Sequence, residues 1–242
     1  MNKKIIKQGN KIVKYSDKIL TIENDGNEGT SSPVAKALIR KGIGHIDTGI
    51  DGANSDLTIE IRYEFITMPT GYWYVVRAYT NETTNCVRIL YNKHTITYNC
   101  LNSIPTQSAS SSITRYIDVV YTDILKPESS TMFSYTQNGT KVTKARTSGT
   151  NLVGVNISLF SSGTTSDGVS VKVYYLKIYD GSTLVRDYVP YITKDGECGL
   201  YDLVTKRFYG NSSGGTFEVE LMEVIEWKNA NIIKQEKMEW CW

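Results

Sequence analysis

The chain has 242 residues, with 27 Lys and Arg against 25 Asp and Glu and a formal net charge of +2, a balance that gives no global electrostatic reason to bind nucleic acid. Seventeen Tyr, 5 Phe and 4 Trp against only 5 Pro argue against disordered or collagen-like bulk. No apolar run reaches the roughly 18 residues of a membrane span, and one large domain with extensions is expected at this length.

The first stretch, "MNKKIIKQGNKIVKYSDKIL", begins basic, but Lys7, Lys11, Lys14 and Lys18 interrupt every candidate apolar core of a secretory signal. Synthesis and maturation in the cytoplasm are therefore expected. Ile5, Ile6, Ile12 and Val13 are interleaved with the lysines, and Gly9-Asn10 divides the stretch into two short strand-like pieces. The segment reads equally well as an edge strand or frayed tail and as an anchor that pairs with another subunit. "NDGNEGTSS" (24–32) is a turn-rich linker, so residues 1–32 form an N-terminal anchor and linker and 33–221 the main domain.

Strand follows strand through that domain. "LTIEIRYEF" (57–65) puts Leu57, Ile59, Ile61, Tyr63 and Phe65 on one face and Thr58, Glu60, Arg62 and Glu64 on the other, the period of two that marks a half-buried strand. "GYWYVVRAYT" (71–80) alternates in the same way. Tyr72, Tyr74, Val76 and Ala78 look like its core side, which leaves Trp73, Val75, Arg77 and Tyr79 outside. Cys86 and Cys100 flank a predicted hairpin around "YNKHT"; a three-residue loop centred on Lys93 sets them opposite each other, either as a disulfide or as plain thiols. "YIDVVY" (116–121), "VGVNISL" (153–159) and "VSVKVYYLKIY" (169–179) are further strands, the last with a phase change that signals a bulge. "QNGT" between "MFSYT" and "KVTKA" is a hairpin signal. No C-x-x-C pair occurs among the four cysteines, which argues against a zinc site.

After about a dozen strands the chain ends in "EVIEWKNANIIKQEKMEWCW", which holds Trp227, Trp240 and Trp242. Exposed Trp is costly, so residues 222–242 read as a docking tail that packs on its own domain or on a partner.

Residues 173–217, "VYYLKIYDGSTLVRDYVPYITKDGECGLYDLVTKRFYGNSSGGTF", resemble the closing strands of concanavalin A-like (laminin-G-like) jelly-roll domains, which are common in tail-fibre and other structural proteins of phages of gut bacteria. The matching pieces are Lys177 to Asp180, Leu184 to Pro190, Gly196 to Thr205, Phe208 to Asn211 and Gly214 to Phe217; "GHIDTGI" (44–50) resembles the family's opening strand, with His45 in place of Tyr. Cys198 departs from the pattern, as does Lys206, where the family often has Gly. The resemblance implies an all-β, antiparallel two-sheet jelly-roll sandwich whose first and last strands lie together. On that view Tyr201, Phe208 and Tyr209 serve packing, and Arg186 and Asp187 orient the strands locally.

Some glycosidases share this fold and project carboxylates from one strand. Glu60 and Glu64 around Arg62 are the best match here, and the central acid is missing. With His45 and His94 the only histidines and no G-x-S-x-G elbow, no catalytic residues and no enzymatic activity are expected. Many laminin-G-like domains bind calcium, and Asp47, Asp51, Asn54 and Asp56 offer hard oxygen ligands, although turn formation accounts for them as well; no cofactor is otherwise expected. A glycan site needs an aromatic platform with fixed polar groups, and Trp73, Arg77 and Tyr79 are the candidates.

The resulting expectation is a phage virion protein of tail-fibre or head-fibre type that displays a lectin-like domain to bacterial surface glycans. It would be made in the host cytoplasm and located in the virion. It would assemble with other virion proteins as a homotrimer or ring, docked through Ile5, Ile6, Ile12, Val13, Trp227, Trp240 and Trp242, without nucleic acid or membrane insertion. The alternatives are a purely architectural decoration protein that binds no glycan and, after it, a glycan hydrolase.

Overall fold

Alternating sequence becomes alternating burial. The computed structural model describes residues 6–8, 11–13, 35–51, 57–69, 72–81, 85–92, 95–100, 109–111, 115–145, 156–160, 169–221 and 225–226. In chain order the strands are β1 (Ile6–Gln8), β2 (Lys11–Val13), β3 (Ala35–Lys41), β4 (Ile46–Asp51), β5 (Leu57–Phe65), β6 (Tyr72–Asn81), β7 (Asn85–Asn92), β8 (Thr95–Cys100), β9 (Ala109–Ser111) and β10 (Val120–Pro127). They continue as β11 (Met132–Gln137), β12 (Thr140–Ala145), β13 (Asn156–Leu159), β14 (Ser170–Asp180), β15 (Thr183–Ile192), β16 (Cys198–Asp202), β17 (Arg207–Tyr209), β18 (Thr216–Leu221) and β19 (Ile225–Glu226). No helix occurs among the described residues.

The chain divides into two units, Ala35–Glu220 and a smaller one drawn from Met1–Val34 and Leu221–Trp242. In the smaller unit β1, β2 and β19 form a three-stranded antiparallel sheet in that order. Ile6 pairs with Val13 across Gly9-Asn10, and Ile225 pairs with Ile12, so backbone from the two ends of the chain joins one sheet. The side chains of Ile6, Ile12 and Val13, together with Ile5, Trp227, Trp240 and Trp242, lie outside the described residues.

In the larger unit a ten-stranded sheet runs β12-β11-β10-β5-β14-β15-β16-β17, with β3 on β14 and β18 on β3. A six-stranded sheet runs β4-β13-β6-β7-β8-β9. One core cluster draws Ile59, Ile61, Tyr63, Val173 and Leu176 from the first sheet and Ile46, Trp73, Ile89, Tyr91 and Ile157 from the second. Aromatic rings cross the gap: Phe65 of β5 meets Trp73 of β6 edge-on at 5.6 Å and Tyr91 of β7 at 5.4 Å. Each such side chain contributes roughly 1.5–3 kcal/mol by leaving water, so the shared interior holds the layers together. The architecture is an all-β, antiparallel two-sheet jelly-roll sandwich.

Turn chemistry agrees with the sequence in the β11–β12 hairpin. Asn138 and Gly139 form its two-residue loop with φ of 43° and 86°, the double left-handed conformation that matches strand twist and favours Asn-Gly. The Asn138 side-chain oxygen also accepts from the Thr122 N–H at 2.8 Å. In the closing motif, Asp202 caps the turn after β16 by accepting from the Val204 N–H at 3.0 Å and the Thr205 N–H at 3.3 Å. Lys206 then takes φ 58°, a left-handed conformation that explains why glycine suits this position. A Cβ on Gly215 would stand 1.1 Å from the Ile43 carbonyl oxygen, so the Gly-Gly turn lets the closing segment touch the opening one. The Ser212 N–H donates to the His45 carbonyl at 2.9 Å, and the Asp47 N–H donates to Ser212 Oγ at 3.1 Å; the ends of the sandwich meet here.

Two expectations change. The strand expected at 116–121 begins at Val120 instead, because Asp118 turns left-handed at φ 57° and Ile117 makes a single parallel bridge to Phe65. The β7–β8 loop has two residues rather than three: Asn92 pairs with Thr95 and Cys100 with Val87. Cys86 and Cys100 are therefore out of register by one residue, and their side chains lie outside the described residues. Arg186 and Asp187 both engage Asp202 of β16, Arg186 at 3.5 Å and the Asp187 N–H at 2.9 Å, which fits the local orienting role expected of them.

Candidate functional site

The outer face of the ten-stranded sheet carries an unusual cluster where β5 meets β14. The β14 register shifts between Val173 and Tyr175, so Tyr174 is an extra residue and two consecutive tyrosines point away from the core, both half-buried. A β-bulge re-aims side chains in this way. Tyr175 lies opposite Arg62, Lys177 opposite Glu60, and Lys172 opposite Glu64. The Tyr175 hydroxyl donates to Glu60 at 2.7 Å, and the Tyr174 hydroxyl donates to Glu64. Arg62 lies 5.8 Å from the Tyr174 ring centroid and Lys177 lies 5.0 Å from that of Tyr175, distances at which a cation is held by the ring quadrupole. Lys172 bridges Glu64 at 3.5 Å and Glu220 of β18 at 3.0 Å, and Lys36 of β3 also pairs with Glu220.

Burial and the neighbouring carboxylates push the Tyr174 and Tyr175 phenols well above their ordinary range, because both disfavour phenolate. Burial and the charges of Glu60 and Asp187 raise Tyr179 likewise. Burial, followed by the Asp123 charge, raises Tyr63 in the core; Tyr188 is raised by burial and the nearby Tyr209. A group raised in the folded state stabilises the fold fully below its unfolded pKa, here about 10, and loses that contribution as pH climbs toward the folded value. In an alkaline titration followed by phenolate absorbance, these five tyrosines are expected to ionise only as the protein unfolds. Tyr174→Phe with Tyr175→Phe should flatten the loss of stability above about pH 10. Ionisation of every tyrosine near pH 10 with the fold intact would contradict this burial.

The acids singled out in the sequence, Glu60 and Glu64, are too far apart along β5 to flank one bond. Glu60 and Glu64 are four strand positions apart, about 13 Å at the usual rise, whereas flanking acids work at roughly 5–9.5 Å. Glu218 and Glu220 have the closer spacing, but Glu218 is paired with Lys41 at 2.7 Å. Burial raises the Glu220 pKa, but hydrogen bonds from Lys36 and Lys172 outweigh it and hold the carboxyl below its usual range, the wrong direction for a general acid.

The platform expected on β6 is not assembled. Trp73 is 0% exposed, stacked on Phe160 at 5.9 Å and 5.4 Å from the Arg40 guanidinium. The cause is a bulge: the β6 register shifts between Tyr74 and Val76, so Val75 is the extra residue and simple alternation fails across it. Trp73, Val76 and Ala78 face the core, while Arg77 lies on the other side with its guanidinium 4.9 Å from the Tyr74 ring. The Tyr79 side chain lies outside the described residues.

Of the calcium candidates, Asp47 accepts from the Ser158 hydroxyl at 2.7 Å and lies 3.8 Å from His45 Nε2. The side chains of Asp51, Asn54 and Asp56 lie outside the described residues, and among the described residues no three His, Cys, Asp or Glu are grouped to hold a metal ion.

In the closing motif, Tyr209 packs edge-on against Tyr188 at 5.3 Å, and Tyr201 and Phe208 flank Tyr191 at 5.2 and 6.1 Å, so these rings do serve packing. Glu60 and Glu64 around Arg62 were sequence candidates for hydrolysis only, and Tyr174, Tyr175 and Lys177 of β14 were not among the site candidates, although the doubled tyrosine in "VYYLK" was the readable sign of the bulge that builds the cluster.

No family model matches the chain, and no curated protein matches it. Among solved structures it is similar to a heptameric SAP-like pentraxin from Limulus polyphemus, at 12% identity over 62% of this chain and 78% of that one, with a TM-score of 0.45. It is also similar to tailspike protein 2 of Escherichia coli O157:H7 bacteriophage CAB120, at 9% identity over 69% of this chain and 31% of the tailspike, with a TM-score of 0.45. A third similarity is to the Ruminococcus gnavus IT-sialidase CBM40, at 16% identity over 56% and 90% of the two chains, with a TM-score of 0.39. The strand order and shared core of the chain itself make it a jelly-roll sandwich.

Proposed function

We propose that this chain is a phage virion appendage protein, of tail-fibre or head-fibre type, whose sandwich holds a bacterial surface glycan on the outer face of β5 and β14 without cleaving it. The virion assignment rests on the resemblance of residues 44–50 and 173–217 to the opening and closing strands, respectively, of such domains. The binding assignment rests on one observation: a bulge sets Tyr174 and Tyr175 side by side on a sheet face, locked to Glu64 and Glu60 and flanked by Arg62 and Lys177. Rings supply apolar patches for sugar C–H groups, and the charged side chains supply directional hydrogen bonds. Because these side chains are already fixed, little rotamer entropy is lost on binding.

The test is binding of the purified chain to polysaccharide from host cell walls. Tyr174→Ala with Tyr175→Ala is expected to weaken binding at least tenfold, about 1.4 kcal/mol, while unfolding remains cooperative. Retained binding in that variant would move the site elsewhere, and an inert wild-type chain that still assembles into particles would favour the architectural role.

A further inference from the structure

We propose that the saccharide held by this face carries an anionic substituent, seated between Arg62 and Lys177; the inference rests on the glycan-binding reading and names the class of its ligand. It follows from how the partners on the face are distributed. Each carboxylate on the face is engaged. Glu60 accepts from Tyr175, Glu64 from Tyr174 and Lys172, and Glu220 from Lys36 and Lys172. The tyrosine hydroxyls spend their protons on these acids. Arg62 and Lys177 are left with ring contacts at 5.8 and 5.0 Å. No carboxylate among the described residues comes within the 4.0 Å of an ion pair with either of them. Glu60 stands across from Lys177 on β5 and Asp187 across from it on β15, yet neither closes that distance.

Register brings the two cations together. Arg62 is opposite Tyr175, and Lys177 is two positions further along β14, a diagonal of about 7–8 Å between Cα positions. Both side chains are long enough to converge on one group. A guanidinium and an ammonium offer only donors, while the acceptors beside them are occupied from within the protein. A neutral hydroxyl both gives and takes hydrogen bonds and gains little from such a pair. A carboxylate or phosphate accepts only, and a charge-assisted bond to either is about twice as strong as a neutral one. The rings beneath keep both cations in place before the ligand arrives.

The experiment measures binding of the full chain to four polymers at low and moderate salt: dextran, polygalacturonate, a polyglycerol phosphate and polyglutamate. Polygalacturonate or the phosphate polymer is expected to bind at least tenfold tighter than dextran, with the preference shrinking as salt rises. Whichever of the two binds tighter identifies the anion. Arg62→Gln and Lys177→Gln should each remove most of that preference, and Arg62→Lys should restore part of it. Equal affinity for dextran and the acidic saccharides, sensitive to Tyr174→Ala but not to Arg62→Gln, would overturn the inference and leave glycan binding standing. Equally tight binding of polyglutamate would overturn it as mere polyanion attraction. Failure to bind host polysaccharide or any of these polymers would remove the glycan-binding reading itself.

Discussion

Replacing Trp73 with alanine is expected to destabilise the sandwich by about 3–5 kcal/mol, the range for emptying a buried aromatic site. That is a large share of a typical stability of roughly 5–15 kcal/mol. Trp73 lies between the layers, with Phe65 from one sheet at 5.6 Å and Phe160 stacked on it at 5.9 Å. Its removal breaks contacts on both sides, and strands fixed by ladder hydrogen bonds cannot collapse fully into the gap. Trp73→Phe should cost far less, on the order of 1 kcal/mol. It gives up volume, but it also removes an indole N–H that is buried without an acceptor among the described residues, and an unmade buried hydrogen bond carries a penalty of its own. Chemical denaturation of the two variants reads both effects. A surface aromatic would behave differently, with Trp73→Ala shifting stability by no more than about 0.5 kcal/mol; that result would restore Trp73 to an exposed platform.

The same residue marks where sequence reading worked and where it stopped. Leu57–Phe65 was readable to the residue because nothing interrupts its alternation, and the Asn138-Gly139 hairpin because its conformation demands those residue types. The closing motif was readable because a long local pattern carries its own turns, down to Lys206 at a left-handed position. Periodicity fails wherever a single residue is inserted. The insertion at Val75 put Trp73 on the core side instead of the predicted outer side, while Val76, Arg77 and Ala78 kept their predicted faces, and the one-residue error in the β7–β8 loop displaced the Cys86–Cys100 pairing. Tyr174 is the same kind of insertion, but there the doubled aromatic betrayed it. The candidate site was missed because it depends on cross-strand register: Arg62, Glu60 and Glu64 become a cluster only once β14 lies beside β5. Alternation had marked those three as outward-facing, which is correct, but it could not say what they face.

Replacing Arg115 with methionine is expected to cost about as much as Trp73→Ala, roughly 3–5 kcal/mol, for an electrostatic reason. Arg115 and Asp123 side chains are both 0% exposed, and Arg115 Nη2 donates to both Asp123 carboxylate oxygens at 2.8 Å. The Tyr63 hydroxyl donates to the same carboxylate at 2.7 Å, the Tyr121 ring lies 4.0 Å from the guanidinium, and the Gln137 side-chain amide abuts Arg115. Methionine fills similar space but leaves the carboxylate buried without its cation. Removing the acid as well, in Arg115→Met with Asp123→Leu, should recover most of the loss, since a buried pair often stabilises no more than an apolar replacement of similar volume. What the pair specifies is the placement of the next residues. Tyr116, Ile117 and Val119 are exposed at 63%, 50% and 39%, too little burial to hold them by packing. Their backbone is tied down by the Tyr116 N–H to the Tyr121 hydroxyl at 2.8 Å and by the Asp118 N–H to the Phe65 carbonyl at 2.9 Å. In the double variant, hydrogen exchange at the Tyr116 and Asp118 amides should therefore stay faster than in the wild type even where global stability returns. Recovery of both together would mean that the loop is held by its own hydrogen bonds and that Arg115 serves stability alone.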